Sequence, residues 1–185
     1  ADETARLWDA INGKQVATLG GHWGLVADAS FNANGTRIIT VGTDKIVQLW
    51  DASTGNFLAK FSHPNSVVSA VFSRDGRRVI STSGYADPVA RIWDAHTAAG
   101  LGDAPTGALI ATLTGHQAAV LHGEFSHDGA LALTSSSDRT ARVWDANTGL
   151  PLYTLSGLAQ YVAPATFSIP IPFAQVRIDP AQLRA

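Results

Sequence analysis

Three sets of histidine, hydroxyl residue and aspartate recur along this chain: His22 with Thr40 and Asp44, His63 with Ser81 and Asp87, and His116 with Thr134 and Asp138. An imidazole between a carboxylate and a hydroxyl is the arrangement that activates a serine or threonine as a nucleophile. Six histidines raise metal ligation as a second chemistry. Both readings meet objections. A catalytic constellation has no reason to recur in three successive segments, and no strained Gly-x-Ser-x-Gly nucleophile turn is present. His116, His122 and His127 are close in sequence, but His122 falls within a strand-like run and His127 in the following turn. Cysteine is absent, and no carboxylate cluster joins the histidines at ligand spacing. The expectation is therefore a structural role, with no catalytic residue, metal or cofactor.

Each set also carries a tryptophan. Trp50, Trp93 and Trp144 follow Asp44, Asp87 and Asp138 by six residues, as Trp8 follows Asp2, and each Trp is followed by Asp. An indole N–H aimed at the hydroxyl would close a relay from carboxylate through imidazole and hydroxyl to indole, and would occupy the oxygen a nucleophile needs free. The Trp-Asp pairs lie 42, 43 and 51 residues apart. A unit of that length cannot bury its own apolar face and must stack on its neighbours.

Strands must position these side chains. Phe31, Phe72 and Phe125 fall nine residues after the histidines, and the hydroxyls fall at eighteen. Apolar and polar residues alternate in Ile46-Val47-Gln48-Leu49-Trp50 and Thr140-Ala141-Arg142-Val143-Trp144, where β-branched residues are frequent. Asn34-Gly35, Asp75-Gly76 and Asp128-Gly129 mark tight turns. Ala29, Ala70, Gly123 and Ala165 stand two residues before the recurrent Phe; a small side chain there lets a neighbouring sheet approach closely.

At these offsets the chain resembles the WD-repeat β-propeller family over about residues 1 to 168, and its Ala-rich turns (Asp51-Ala52-Ser53-Thr54-Gly55, Asp145-Ala146-Asn147-Thr148-Gly149) look like bacterial members. The resemblance implies an all-β fold of four-stranded antiparallel blades around a channel, with about four blades' worth of sequence. It implies buried tetrads His22-Thr40-Asp44-Trp50, His63-Ser81-Asp87-Trp93 and His116-Thr134-Asp138-Trp144. The organisation expected is a partial blade over 1–19, repeats over about 20–61, 62–113 and 114–155, and a partial blade over 156–168. The segment 169–185, with Ile169-Pro170-Ile171-Pro172-Phe173, abandons the pattern and permits an edge strand.

Individual function is expected where the repeat breaks or where loops differ. His63 to Asp87 is two residues longer than the other two histidine–aspartate spacings, which puts Gly84-Tyr85-Ala86 in an enlarged turn. By the resemblance this turn opens on the partner-binding face, making Tyr85 a contact candidate or an ordinary surface aromatic. Trp23, Leu25, Pro64, Ser66, Gln117 and Ala119 should rim the channel mouth. Trp23 is either an interface anchor or a core side chain. Arg6, Arg91 and Arg142, two residues before their Trp, are expected to pack their stems and pair between blades, with a repeating anion site as the alternative and Gln48 in the equivalent place. The linker from His96 to Pro105 reads as a tolerated insertion.

A net charge of −2 supplies no cationic field for nucleic acid or anionic membrane. No apolar run reaches the roughly 18 residues of a membrane span, and Ala1-Asp2-Glu3 does not open a signal peptide, so a cytoplasmic location is expected. The expected function is a non-enzymatic protein-interaction scaffold. The alternative is a ligand- or trigger-sensing domain of a larger bacterial signalling protein. Four blades make a tight ring, so a homodimer closing an eight-bladed ring is expected, unless the chain is part of a larger propeller.

Overall fold

Fourteen strands and no helix make up the described residues of the computed structural model, which are 2–84, 86–96 and 107–157. Tyr85, most of the linker, the partial blade after residue 157 and the segment 169–185 lie outside them. Strands β1 (Ala5–Trp8) and β2 (Gln15–Leu19) form an antiparallel pair. Three four-stranded antiparallel sheets follow, each built from consecutive strands. Blade A holds β3 (Val26–Phe31), β4 (Arg37–Gly42), β5 (Ile46–Asp51) and β6 (Phe57–Ser62). Blade B holds β7 (Val67–Phe72), β8 (Arg78–Ser83), β9 (Ala90–Asp94) and β10 (Leu109–Leu113). Blade C holds β11 (Val120–Phe125), β12 (Leu131–Ser136), β13 (Ala141–Asp145) and β14 (Pro151–Leu155).

The blades stack face on face. Ile39, Val41, Val47, Leu49, Ala59 and Phe61 of blade A meet Val67, Val79 and Trp93 of blade B in one apolar layer. Ile80, Ala90, Ile92 and Leu113 of blade B meet Val120, Ala132 and Trp144 of blade C in the next. Second strands are covered on both faces, which is why β4, β8 and β12 read as nearly continuous buried runs. The half-blade β1–β2 covers the other face of blade A through Leu19, Leu7 and Ala17 against Ile38 and Trp50.

First strands β3, β7 and β11 touch one another from blade to blade, which places them innermost. The small residues on them do what close approach requires. A Cβ built on Gly123 would stand 3.0 Å from Ile80 Cδ1 and 3.2 Å from Thr82 Cγ2, both on the neighbouring blade. At the edge that carries the turns between first and second strands, Arg37 donates to the Ala95 carbonyl of blade B at 2.7 Å, and Arg78 reaches the Gly129 carbonyl and Asn147 Oδ1 of blade C. Blade C has Leu131 at that position, so the arginine ties end there.

The described strands form an open arc of three blades and half of another. Its two ends expose side chains whose equivalents are buried inside the stack. Trp8 is 55% exposed where Trp50, Trp93 and Trp144 are buried, and Tyr153 and Leu155 are exposed where Ala59 and Phe61 are buried.

Candidate partner-binding face

The loops that precede the first strands carry the histidines, and the turns between second and third strands carry the aspartates. In blade A the Trp50 indole donates to Thr40 Oγ1 at 2.9 Å. Thr40 Oγ1 lies 2.8 Å from His22 Nε2, and His22 Nδ1 lies 3.0 Å from Asp44. Blade C repeats this: Trp144 to Thr134 at 2.8 Å, Thr134 to His116 Nε2 at 2.8 Å, His116 Nδ1 to Asp138 at 2.9 Å. One assignment of protons satisfies every group: indole N–H to hydroxyl oxygen, hydroxyl proton to Nε2, and Nδ1–H to carboxylate. Thr40, Ser81 and Thr134 are buried, so none of these oxygens meets a substrate. The relay holds structure together.

Its upper end organises the face. Asp44 Oδ2 also accepts the Trp23 backbone N–H at 3.0 Å, and Asp138 Oδ2 accepts that of Gln117 at 2.9 Å. The Leu25 carbonyl in turn accepts from Thr43 N at 2.9 Å. One carboxylate therefore fastens the loop before a blade to the turn within it. Burial acts to raise the Asp138 carboxyl, but the Thr140 hydroxyl, the Gln117 N–H and His116 outweigh it and hold it well below the ordinary range. Burial also pushes His116 down, opposed by Asp138.

Blade B departs from the expected tetrad. Trp93 donates to Ser81 Oγ at 2.7 Å and Ser81 Oγ lies 3.0 Å from His63 Nε2, but Asp87 is not on the imidazole. It pairs with Arg91 at 2.9 Å, and His63 Nδ1 faces Ser83 Oγ at 3.3 Å, which also accepts from Arg91. Two local causes act together. The turn before Asp87 is two residues longer, and the residue after His63 is Pro64, which has no N–H to offer a carboxylate. Burial, reinforced by the Arg91 cation and opposed by Asp87, pushes the His63 imidazole down to about 4. Ser83 and Pro64 are the participants that spacing alone missed.

The arginines two residues before each Trp pair within their own segment, not between blades. Arg6 contacts Asp2, Arg91 contacts Asp87, and Arg142 lies over the Trp144 ring at 6.0 Å. Where an aspartate has no imidazole to hold, the arginine four residues on takes it.

Of the candidate contact residues, Trp23 is 89% exposed and Leu25 55%, on a loop whose backbone is fastened at both ends. That excludes the core reading of Trp23. Gln117, Pro64 and Ser66 are exposed beside the equivalent loops, whereas Ala119 is buried. Lys45 and Arg139, each following a relay aspartate, are exposed on the same face. Tyr85 lies outside the described residues. His122 sits on β11 and His127 in the turn beyond it, against Arg74.

Comparison with known proteins agrees with this geometry. The family described as "WD domain, G-beta repeat" matches residues 13–51, 55–94 and 107–145. Each matched segment straddles two blades, taking the last strand of one and the first three of the next. The chain is 30% identical over 156 residues to "Nuclear distribution protein nudF 2" of Penicillium rubens, covering 74% of this chain and 32% of that protein. It is 31% identical over 160 residues to "Nuclear distribution protein PAC1" of Arthroderma benhamiae, covering 81% and 33%. It is 29% identical over 158 residues to "Serine-threonine kinase receptor-associated protein" of Dictyostelium discoideum, covering 84% and 49%. The chain thus spans about a third of the length of the first two of these relatives and half of the third. With relays, blades and matched repeats in agreement, the chain belongs to the WD domain, G-beta repeat family.

Proposed function

We propose that this chain is a non-enzymatic protein-interaction scaffold whose partner lands on the face that carries the histidine loops. The observation that supports it most is Trp23: a large indole almost fully in water, on a backbone the Asp44 carboxylate holds in place. A fastened loop loses little freedom on binding, and an aromatic so presented suits a contact anchor. Leu25 adjoins it, and Gln117 and Tyr85 complete the proposed contact set. A cytoplasmic setting, with no role for nucleic acid or membrane, is part of the same proposal.

The test is recovery of partners by the full chain and by its Trp23→Ala, Leu25→Ala and Gln117→Ala variants. All three side chains are exposed or lie in loops, so the fold should persist. Loss of the same partners in Trp23→Ala and Leu25→Ala supports the mapped face; unchanged recovery in all three counts against it.

The second reading, a trigger-sensing domain of a larger signalling protein of bacterial type, draws on the Ala-rich turns alone. The relatives named above are eukaryotic and lend it nothing. Ring completion is part of the proposal in either form. The exposed Trp8 face and the exposed Tyr153–Leu155 face suit either a second copy of the chain or further blades.

A further inference from the structure

The opposite edge of the arc carries a feature that the repeat does not explain. The turns after the first strands occupy equivalent places in the three blades, and their second positions are Ala33, Arg74 and His127. Ionisable side chains thus appear there in blades B and C only. They meet across the boundary between the blades: Arg74 Nη1 lies 2.9 Å from His127 Nε2 and is closer still to Nδ1.

That contact leaves hydrogen-bond donors in excess. A guanidinium only donates, and a neutral imidazole has a single acceptor nitrogen, so this exposed pair presents more donors than acceptors. A second guanidinium reinforces the field. Arg78, stacked on Phe125 at 5.1 Å from the ring centroid, reaches the Gly129 carbonyl in the same turn as His127.

The same turns carry two carboxylates, Asp75, which feels the Arg78 and Arg77 cations, and Asp128, which feels His127, and each is hydrogen-bonded within its own turn. Asp75 accepts from the Ser73 hydroxyl at 2.6 Å and the Arg77 N–H at 3.0 Å. Asp128 accepts from the Ser126 hydroxyl at 2.6 Å and the Ala130 N–H at 3.0 Å. Each aspartate thus braces its own turn, and among the described residues neither Arg74 nor Arg78 forms an ion pair.

We propose that Arg74 and His127, with the Arg78 charge behind them, form an oxyanion site at the boundary of blades B and C, suited to a phosphate group. Three acceptor oxygens match the convergence of guanidinium and imidazole donors, and a charged acceptor strengthens each bond. The site lies on the edge away from Trp23, so it stands or falls independently of the partner face.

The experiment is a titration of the 15N-labelled full chain with inorganic phosphate, at ionic strength held constant with sodium chloride. Saturable shifts are expected at the amides of residues 73–76 and 126–129, with affinity weakened about tenfold or more in Arg74→Gln and in His127→Gln. Both side chains are exposed, and thermal unfolding of each variant checks that the fold persists. A phosphoserine peptide and its unphosphorylated twin form the second arm. Tighter binding of the phosphopeptide than of inorganic phosphate assigns the group to a partner chain, and equal or weaker binding assigns it to the free ion; both support the site. Shifts that never saturate, or that the two variants leave unaltered, overturn it.

Discussion

Asp87 lies 2.9 Å from the Arg91 guanidinium, although its equivalents Asp44 and Asp138 lie on imidazoles in the flanking blades. The same residue type at the same place in the repeat therefore holds different things. Asp44 joins a loop, a turn and a buried histidine, whereas Asp87 holds one side chain of its own blade, Arg91.

This difference should be measurable as stability. Asp44→Ala leaves the His22 Nδ1–H and the Trp23 N–H without their acceptor, at a cost of about 1–3 kcal/mol. Asp87→Ala removes a largely buried ion pair but leaves Arg91 its contact with Ser83 and orphans no backbone N–H, so it should cost less than Asp44→Ala. Urea unfolding of the two variants decides the matter. Equal losses would mean that Asp87 does reach the relay in solution.

Acid sensitivity should concentrate on blade B. The His63 imidazole has its folded value pushed down to about 4, from 6.5 for the free group, because burial disfavours its cation. The folded protein then binds fewer protons than the unfolded chain between those values, so stability rises with pH through that window. His63 contributes no loss above about 6.5 and a growing loss as pH falls towards 4, on the order of 3 kcal/mol in all. His116 shifts in the same direction. Unfolding free energy measured from pH 7 to pH 4 should show a shallower slope in His63→Gln than in the unsubstituted chain. Parallel curves would remove His63 as the source.

Much of this was legible in the residues. Fixed distances between His, hydroxyl, Asp and Trp predict strands and relays because a repeated unit repeats its contacts. Asp87 shows where that logic stops. Offset arithmetic gives a position but not its donors, and the decisive sign was Pro64, a residue without an N–H where Trp23 and Gln117 each offer one. Arg91 was expected to reach across blades, but the carboxylate four residues before it was nearer. Trp23 was undecidable for a different reason: an indole beside a strand fits a core as well as a surface, and only the fastened loop determines which.

The hydroxyl is the hinge of each relay, accepting from indole and donating to imidazole. Thr134→Val keeps the shape and removes both bonds, leaving the Trp144 N–H and His116 Nε2 buried without partners. The expected loss is about 2–4 kcal/mol. Thr134→Ser keeps the oxygen, as Ser81 does in blade B, and gives up one methyl group, for about 1 kcal/mol. Chemical unfolding of the pair separates hydrogen bonding from packing; a serine variant as unstable as the valine variant would assign the effect to packing.

Gly123 fixes how closely blade C can approach blade B. An added methyl would stand 3.0 Å from Ile80 Cδ1 and 3.2 Å from Ile80 Cγ1, and Ile80 is itself fully buried between the two blades. It has no free direction in which to yield, so Gly123→Ala should destabilise the chain by about 1–3 kcal/mol through overpacking. Ile80→Val removes the Cδ1 atom that the new methyl would strike. The double variant should therefore lose less than the sum of the two single losses, because the cavity left by one change receives the atom added by the other. A double-mutant cycle in urea measures the coupling. Strict additivity would show that blade C withdraws from blade B instead of pressing on Ile80, and the innermost strands would then owe their close approach to something other than the missing side chain.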